Sequence, residues 1–458
     1  MTSSTAIALF TRDLRVHDNP TLHAAVEEAD LVLPVFVLDD SILDSAYLAP
    51  NRASFLVDAL RDLDASLRKR GSDGLVVRRG DPVEEAAALA YEVGAQTVHV
   101  SGDWSRHAQR RQRSLEMALS EADVELVVHD ETLAVVPPGA VAPDDKDHFA
   151  VFTPYHRRWS DHARRPVVDS PRRLQSPTVW EGQIPAAETL CPGERARYLP
   201  QGGETAGRRR MHAWLRSSVT AYADHHDDLA ADDTSRMSPY LHFGCLSPAE
   251  LAAAAGRSRG AYAFVRQLAW RDFNLQLLAA RPEVATEDYH PRGDRWRSDE
   301  EDLAAWREGR TGYPIVDAAM RQLRQEGWMH NRGRLITSSF LTKTLYIDWR
   351  LGARHFLYHL VDGDISNNQL NWQWVAGTGT DTRPSRVLNP LRQAERFDPD
   401  GGYVRRYVPE LAEIEGPAVH TPWNLPAEVR ARLNYPEPIV DLAEGRRRFL
   451  ETRAAGAG

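Results

Sequence analysis

The sequence lacks the features that mark several broad classes of protein. It has two cysteines, Cys191 and Cys245, in 458 residues, too few for a disulfide framework or a four-cysteine iron–sulfur cluster. Residues 1–10 lack a basic start and a long apolar core, so we expect no signal peptide. No stretch approaches the length of a membrane span. We therefore predict a cytoplasmic protein that is not bound to a membrane.

Positive charge is also scarce, because 56 lysines and arginines face 65 aspartates and glutamates, for a net charge of −9. A negative total argues against nucleic acid, but such binding depends on a local basic face. One stretch, residues 381–406, is mildly basic; it holds Arg383, Arg386, Arg392, Arg396, Arg405 and Arg406 beside Asp381, Glu395, Asp398 and Asp400. A solvated loop explains this stretch equally well.

The first third of the chain predicts alternating strands and helices. Apolar runs suited to buried parallel strands lie at residues 7–10, 31–38, 75–78, 97–100 and 126–128. Helical patterns lie near residues 52–70, 82–93 and 105–121. This alternation predicts a doubly wound parallel sheet, an α/β domain over residues 1–136. No Gly-x-Gly-x-x-Gly follows the first strand, so the usual dinucleotide fingerprint is absent.

The rest of the chain predicts a linker followed by helices. Residues 137–205 contain ten prolines and little periodicity, which is typical of a linker or wrapping loop. Helical patterns then occur at residues 207–228, 248–254, 260–280, 300–307, 314–326, 331–342, 346–359 and 364–374. We therefore predict an all-α domain over residues 206–458, joined to the first domain by this Pro-rich linker.

The densest polar motif is the run Asp362-Gly-Asp-Ile-Ser-Asn-Asn-Gln-Leu-Asn-Trp-Gln-Trp374. It combines two acids and several amides with two tryptophans. Buried acids and amides need partners that a bare core rarely supplies, whereas a bound polar aromatic cofactor would supply many. An Asn-rich loop with two anchoring tryptophans is the alternative interpretation.

Five further motifs accompany this run: Thr234-Ser-Arg-Met-Ser-Pro-Tyr-Leu, Trp270-Arg-Asp-Phe, Thr311-Gly-Tyr-Pro-Ile-Val-Asp-Ala-Ala-Met, Gly327-Trp-Met-His-Asn-Arg-Gly-Arg and Gly377-Thr-Gly-Thr-Asp. In this order and spacing, over nearly the whole chain, they closely resemble the photolyase/cryptochrome family of flavoproteins. Asn331-Arg332 is similar to the branch that repairs cyclobutane pyrimidine dimers, so the chain most resembles a class I photolyase of the actinobacterial type. The resemblance implies an antenna-chromophore domain, a helical FAD-binding domain and light-driven repair of UV-damaged DNA.

The segment at Thr234 also suits a phosphate on chemical grounds. Ser238 is a good N-cap and Pro239 fits the first helical position, and free backbone N–H groups there attract anions. A plain capped helix is the alternative. The resemblance assigns FAD contacts to Tyr222, Thr234, Ser235, Arg236, Met237, Ser238, Phe264, Arg271, Arg334, Asp362, Gly363, Asp364 and Asn368.

Two of these residues, Arg334 and Asp362, carry opposite charges and could form an ion pair. A buried arginine must be paired or it costs several kcal/mol, so Arg334 with Asp362 would be a structural ion pair in the simpler interpretation. The resemblance places this pair beside the isoalloxazine, Asp364 at the ring edge and Asn368 at flavin N5.

Nine of the twelve tryptophans lie between Trp214 and Trp423. Any single buried tryptophan is core by default. Three match a family pattern, and the resemblance implies that Trp372, Trp349 and Trp296 carry a hole from the flavin outward to solvent. Such a row recharges an oxidised flavin and is not the repair step.

The resemblance also implies a lesion pocket that receives a flipped dimer, as photolyases are known to do. Trp270 and Trp374 would wall it, since base stacking on an aromatic face contributes about 1–3 kcal/mol. The remaining implied DNA contacts are His226, Gln267, Asn331, Arg332, Leu335, Arg386 and Gln393.

Three of these positions depart from the family pattern. Gln267 stands where most dimer-repairing relatives have glutamate, and it keeps hydrogen bonding but loses the charge. His226 replaces an arginine, and Leu335 replaces a methionine, a mild apolar change. These departures bear on repair efficiency more than on substrate class.

The segment that begins at Asp103 indicates which antenna pigment the chain would bind. Folate-binding relatives have a glutamate there, and residues 103–111 have none. The segment is more similar to the deazaflavin type, which implies 8-hydroxy-5-deazaflavin held by Arg12, Asn51, Arg52 and Asp103. Methenyltetrahydrofolate, FMN or an empty cleft are the alternatives.

We therefore expect a monomeric, metal-free carbon–carbon lyase. Reduced FAD would donate an electron to the dimer under blue light and regain it after the ring splits. A cryptochrome-like photoreceptor is less favoured because the chain runs only to Gly458 beyond Trp423. A (6-4) photolyase is less favoured because Asn331 and Leu335 stand where it usually has histidines. A nucleotide-binding α/β enzyme is less favoured because no phosphate loop follows the first strand.

Overall fold

Buried apolar strands form a parallel sheet in the N-terminal part of the chain. A computed structural model describes residues 3–456, and within that range the strands are β1 Thr5–Phe10, β2 Leu31–Asp39, β3 Val76–Gly80, β4 Thr97–Ser101 and β5 Glu125–His129. They pair in parallel in the order β3-β2-β1-β4-β5. Every residue of β1 is buried, as expected for a strand covered on both faces. The predicted doubly wound sheet is confirmed.

Five helices accompany this sheet: α1 Pro20–Glu28, α2 Asp40–Leu43, α3 Pro50–Arg68, α4 Pro82–Val93 and α5 Arg106–Ser120. Local sequence sets the ends of α4, since Asp81 accepts hydrogen bonds from the first turn and Gly94 ends the helix at φ +63°. The sequence patterns did not indicate α1, because only Thr21, Leu22 and Ala25 of this helix are buried and they form no extended apolar stripe.

The segment between residues 137 and 205 is not wholly irregular. It contains α6 Phe152–Asp161 and the single turn α7 Ala187–Leu190. Trp159 on α6 donates from its indole Nε1 to Asp272, at 2.9 Å. Asp272 lies on the long helix Arg259–Ala280, so α6 is anchored by a buried polar bond as well as by aromatic packing.

Helices make up most of the remaining described chain: α8 Glu204–Ser217, α9 Tyr222–His225, α10 Ser238–His242, α11 Pro248–Ala254, α12 Arg259–Ala280, α13 Glu300–Glu308, α14 Pro314–Glu326, α15 Asn331–Ser339, α16 Trp349–His359, α17 Ile365–Ala376, α18 Pro390–Phe397, α19 Gly402–Tyr407, α20 Ala427–Arg430 and α21 Leu442–Gly456. The predicted all-α character is confirmed. The helix expected over 207–228 divides into α8 and α9. The one expected over 331–342 ends at Ser339 and continues as a π-helical turn, Phe340–Thr344.

The chain divides into two compact units that interleave along the sequence. The first comprises Met1–Arg195, Pro200–Ala223 and Ser235–Pro282, and the second comprises Ala196–Leu199, Asp224–Thr234 and Glu283–Gly458. The second unit has its own core around Trp306, Met320, Phe340, Trp349 and Phe356. The boundaries predicted from composition stay a prediction.

Candidate functional site

The strongest polar arrangement in the second unit is an ion pair between α15 and the segment before α17. Arg334 donates from Nη2 to Asp362 Oδ2 at 2.7 Å and from Nε to the Met329 carbonyl at 2.9 Å. The Asp362 side chain is only 3% exposed. Its other oxygen, Oδ1, is buried and has no hydrogen-bond partner among the described residues. A buried acceptor of this kind calls for a donor that the chain does not supply.

Asp364 and Asn368 lie at the start of α17, next to this pair. Asp364 caps the helix by accepting from the Asn367 backbone N–H at 2.9 Å, and it also accepts from the Ser366 hydroxyl. The Asn368 amide nitrogen donates to the Ala353 carbonyl at 3.1 Å. The side chain of Asn368 is therefore fixed in orientation through its nitrogen, and its predicted place at flavin N5 stays a prediction.

Two of the candidate flavin contacts in the first unit, Tyr222 and Phe264, lie in an aromatic cluster with Trp214. The rings of Trp214 and Phe264 lie 4.7 Å apart, and Tyr222 meets both edge-on, at 5.5 Å and 5.9 Å. All three side chains are buried. The rings of Tyr222 and Phe264 pack against Trp214 and against each other, and these contacts fix their positions.

The predicted phosphate segment adopts a strained backbone. Arg236 has φ +50°, which costs a non-glycine residue on the order of 1 kcal/mol and is concentrated at functional sites. The expected N-cap at Ser238 is wrong by one residue, because α10 begins at Ser238 and Met237 is the cap without a side-chain hydrogen bond. Thr234 Oγ1 is buried and has no hydrogen-bond partner in residues 3–456.

Arg271 is a predicted flavin contact that the structure also ties to the backbone. Its guanidinium donates to the carbonyls of Leu133 and Leu241, the second at 3.4 Å. The side chain is 12% exposed and lies 3.8 Å from Asp272 Oδ1. Arg271 therefore holds two segments of the first unit together, and its contact with a flavin stays a prediction.

The three tryptophans of the predicted electron-transfer row differ in exposure. Trp372 and Trp349 are buried, and Trp296 is half-buried with its ring 5.0 Å from Tyr346. Trp349 donates from Nε1 to Asp288 at 2.8 Å. Exposure rises only at Trp296, as the predicted direction of the row requires, and the row itself stays a prediction.

Comparison with known proteins identifies the family. Residues 264–455 match the FAD binding domain of DNA photolyase, and residues 6–175 match the family described as DNA photolyase. The chain is 55% identical to the deoxyribodipyrimidine photo-lyase of Streptomyces griseus, over 98% of this chain and 99% of that one. The chain belongs to the DNA photolyase family.

Solved structures of the photolyase family share the whole fold. A bacterial class III photolyase from Agrobacterium tumefaciens superposes with a TM-score of 0.92 at 33% identity, over 100% of this chain and 98% of that one. A cryptochrome from Synechocystis sp. PCC6803 superposes with a TM-score of 0.90 at 28% identity, over 98% and 99%. The family and fold predicted from the six motifs are confirmed, including the helical FAD-binding domain.

Arg332, a predicted DNA contact, is already engaged within the second unit. It pairs with Asp227 through two nitrogens, at 3.3 Å and 2.6 Å, and it stacks 4.2 Å from the Phe397 ring centroid. His226 lies 3.8 Å from the same carboxylate. Asn331 is exposed and Leu335 is half-buried, so α15 presents both to its surroundings.

Trp374 and Arg386 lie together in the second unit. The Arg386 guanidinium is 5.3 Å from the Trp374 ring centroid, within the range of a cation–π contact. Gln393 on α18 is half-buried, and its Oε1 is buried and lacks a hydrogen-bond partner in the described part of the chain. The structure thus brings two of the predicted DNA residues into contact.

Trp270, the other predicted wall of the lesion pocket, lies on α12 of the first unit. Phe152 stacks on it with a centroid separation of 3.6 Å and an interplanar angle of 4°. One indole face is therefore covered. Gln267, one turn earlier on the same helix, is exposed. Phe152 was not among the predicted site residues, because a phenylalanine in a Pro-rich segment carries no chemical signal.

The predicted antenna residues fall near the carboxyl ends of the strands. The strand order reverses beside β1, and loops leaving such a point form a binding crevice in open α/β sheets. Arg12, after β1, lies 3.1 Å from Asp103, after β4. Asn51 and Arg52 are buried on α3. The structure thus joins Arg12 to Asp103, while the pigment they bind stays a prediction.

No helix within residues 3–456 has the length and apolar character needed to cross a membrane. No group of three or more histidine, cysteine, aspartate or glutamate side chains there is arranged to hold a metal ion.

Proposed function

We propose that this protein is a deoxyribodipyrimidine photolyase that repairs cyclobutane pyrimidine dimers in DNA with light. The observation that carries the proposal is the Arg334–Asp362 pair. It leaves one buried carboxylate oxygen without a donor, in a chain whose match to the FAD-binding domain includes both residues. An N–H-bearing ring such as that of a flavin suits this acceptor.

FAD would be held by the residues that the family resemblance assigns to it. These are Tyr222, Thr234, residues 235–238, Phe264, Arg271, Arg334, Asp362, Gly363, Asp364 and Asn368. When bound, reduced and excited by blue light, FAD supplies an electron that splits the cyclobutane ring and is then returned. Asp362 would accept a hydrogen bond from the bound group, and Arg334 would hold the Asp362 side chain in position through the hydrogen bond that it donates to Oδ2.

The DNA-contacting residues would act through stacking and charge. Trp270, backed by Phe152, and Trp374, flanked by Arg386, would each offer an indole face to an extruded base. Gln267 would donate a hydrogen bond to the dimer. Asn331 would contact base edges, and Arg332 would remain fixed by Asp227.

The test uses photoreduced protein and DNA with defined thymine dimers. Light-dependent return of thymine absorbance at 260 nm is expected, with none in the dark. Loss of flavin from otherwise folded protein would contradict the cofactor assignment. Normal flavin photoreduction without return of thymine would contradict dimer repair, and a matched (6-4) substrate would then decide whether that lesion is repaired instead.

We further propose that Arg12, Asn51, Arg52 and Asp103 hold 8-hydroxy-5-deazaflavin as antenna. Reconstitution with this pigment should add an absorption band and raise repair at that wavelength. Asp103→Asn should lower its retention without changing FAD content. Retention of methenyltetrahydrofolate or FMN in its place would overturn the assignment. Monomeric state and cytoplasmic location also stay predictions.

The likeness to a Synechocystis cryptochrome favours photoreception as a second candidate. A photoreceptor would be photoreduced through the tryptophan row and would leave the dimer unrepaired. The thymine-absorbance assay therefore separates the two candidates directly.

A further inference from the structure

The outermost tryptophan of the predicted row, Trp296, is in contact with a tyrosine. The ring centroids of Trp296 and Tyr346 lie 5.0 Å apart, with an angle of 41° between the ring planes. Trp296 is half-buried, whereas Tyr346 is only 1% exposed. The phenol ring is therefore shielded from solvent at the point where the row reaches it.

The backbone holds Tyr346 in a conformation that tyrosine rarely adopts. Its φ is +59°, in the left-handed region where glycine or asparagine is the usual residue. The Tyr346 carbonyl accepts from the backbone N–H of Arg297 at 2.8 Å, which fixes the tyrosine next to Trp296. A strained position that still carries a large side chain indicates that the side chain itself is required there.

The hydroxyl of Tyr346 donates to a buried carboxylate. Its oxygen lies 2.8 Å from Asp294 Oδ1, and the Asp294 side chain is only 2% exposed. A base within hydrogen-bond distance of a hydroxyl is placed to take its proton. Arg453 on α21 pairs with the same carboxylate through two of its nitrogens, which fixes the carboxylate facing the phenol.

The Tyr346 phenol keeps its proton until it loses an electron. Burial, together with the hydrogen bond and charge of Asp294, raises the pKa of this phenol above its ordinary value, so the phenolate does not form at neutral pH. A phenol that has lost an electron is a strong acid and releases its proton to a base in contact with it. Electron loss from Tyr346 is therefore coupled to proton transfer to Asp294.

We propose that Tyr346 is the terminal electron donor of this row, with Asp294 as the base that accepts its proton. The inference rests on the proposed function, which supplies the oxidised row. In one step the Trp296 radical cation gains an electron, Tyr346 becomes a neutral phenoxyl radical, and the hydroxyl proton moves to Asp294. A thiolate in solution then supplies one electron to the phenoxyl radical, and Asp294 returns the proton. Return of an electron from the row to Tyr346 is slow, because the proton must move back at the same time.

The test oxidises the row with a laser flash in flavin-loaded protein and follows tryptophan and phenoxyl radicals by transient absorption. In the wild type the first should convert into the second, more slowly in D2O than in H2O because a proton moves with the electron. Tyr346→Phe keeps the ring but has no hydroxyl proton, so the tryptophan radical should persist longer by an order of magnitude or more. Asp294→Asn keeps a hydrogen-bond acceptor but removes the base, and it should also prevent phenoxyl formation.

The matched control is Tyr407→Phe. Tyr407 also donates to a buried carboxylate of the second unit, that of Glu326, and it lies outside the predicted row. Tyr407→Phe should leave the lifetimes of both radicals unchanged. Thermal unfolding and FAD content check that all three variants keep the fold, and the D2O comparison needs no variant.

Pulse radiolysis distinguishes failure of this inference from failure of the proposed function. Azide radicals oxidise accessible tryptophans without light, and Trp180→Phe as a common background removes an indole that is 72% exposed. Phenoxyl formation in this background, absent from Tyr346→Phe, would support the inference even if the flash produced no oxidised row. That second result would contradict the proposed function alone.

Two results would overturn the inference. Equal tryptophan-radical lifetimes with and without Tyr346→Phe, by both methods, would show that the tyrosine donates no electron. Unchanged phenoxyl formation in Asp294→Asn, with equal rates in H2O and D2O, would show that Asp294 is not the base.

Discussion

The carboxylate of Asp362 meets Arg334 through one oxygen only. Oδ2 accepts the guanidinium at 2.7 Å, and Oδ1 is buried with no partner among the described residues. An ion pair formed for stability alone would satisfy both oxygens, because an unsatisfied buried acceptor costs about 1–3 kcal/mol. The free oxygen is the acceptor to which we propose that FAD donates, and the charge of the pair gives this proposal a measurable consequence.

Replacing Asp362 by asparagine should release FAD. The amide keeps one oxygen acceptor but removes the charge that balances Arg334, and hydrogen bonds to charged groups contribute about 1.5–3 kcal/mol. We expect FAD retention to fall about tenfold or more, measured as flavin fluorescence released on dilution. Glu410→Gln is the control, since Glu410 pairs with Arg321 at 2.6 Å in the same unit. Equal retention in both variants would contradict the assignment.

Replacing Trp372 by phenylalanine should slow photoreduction of oxidised flavin. Phenylalanine fills most of the buried space but does not lose an electron as readily as an indole. We expect photoreduction to slow by an order of magnitude or more, with FAD content unchanged and repair by chemically reduced enzyme retained. Trp328→Phe is the matched control, because Trp328 is also buried but lies outside the predicted row. Equal slowing in both variants would argue against a defined row.

Particular residues show how far the sequence predicts this protein. The strands were predictable because they are short apolar runs between helical patterns. The sequence predicts a binding role for Asp362, because the many polar groups of residues 362–374 lie beside two tryptophans and need partners when they are buried. Helix α21 was not predictable, because residues 442–456 show little apolar periodicity. Lys343 was not, because an isolated lysine is normally exposed.

Asp272 holds the Pro-rich segment against α12, and its replacement should destabilise the first unit. Its Oδ2 accepts from the backbone N–H groups of Val135 and Val136, each at 3.0 Å, and from Trp159 Nε1 at 2.9 Å. Asp272→Ala leaves three buried donors unsatisfied and should lower the free energy of unfolding by about 3 kcal/mol or more. Asp272→Asn keeps an acceptor and should cost less. Chemical unfolding of both variants measures the difference, and equal losses would show that the acceptor is unimportant.

Lys343 should make stability depend on pH. Burial lowers the pKa of its ammonium group from 10.5 to about 7, and the nearby charges are Asp381, Arg453, Arg386 and Asp294. Between pH 7 and pH 10.5 the unfolded chain therefore binds more protons at this site than the folded chain. Stability rises with pH under that condition, so the Lys343 contribution grows from pH 7 upward and levels off near pH 10.5.

The size of this effect follows from the pKa difference. Between pH 7 and pH 9 the free energy of unfolding should rise by about 2 kcal/mol in the wild type relative to Lys343→Met. Lys146→Met is the control, because Lys146 is exposed and its removal should leave the pH dependence of the wild type intact. Urea unfolding at several pH values gives the comparison. Parallel pH profiles for wild type and Lys343→Met would show that the buried lysine keeps an ordinary pKa. The hydrogen bonds that Lys343 donates to the carbonyls of Pro384 and Arg386, at 2.9 Å and 2.7 Å, would then come from an ammonium group that is charged across the whole range.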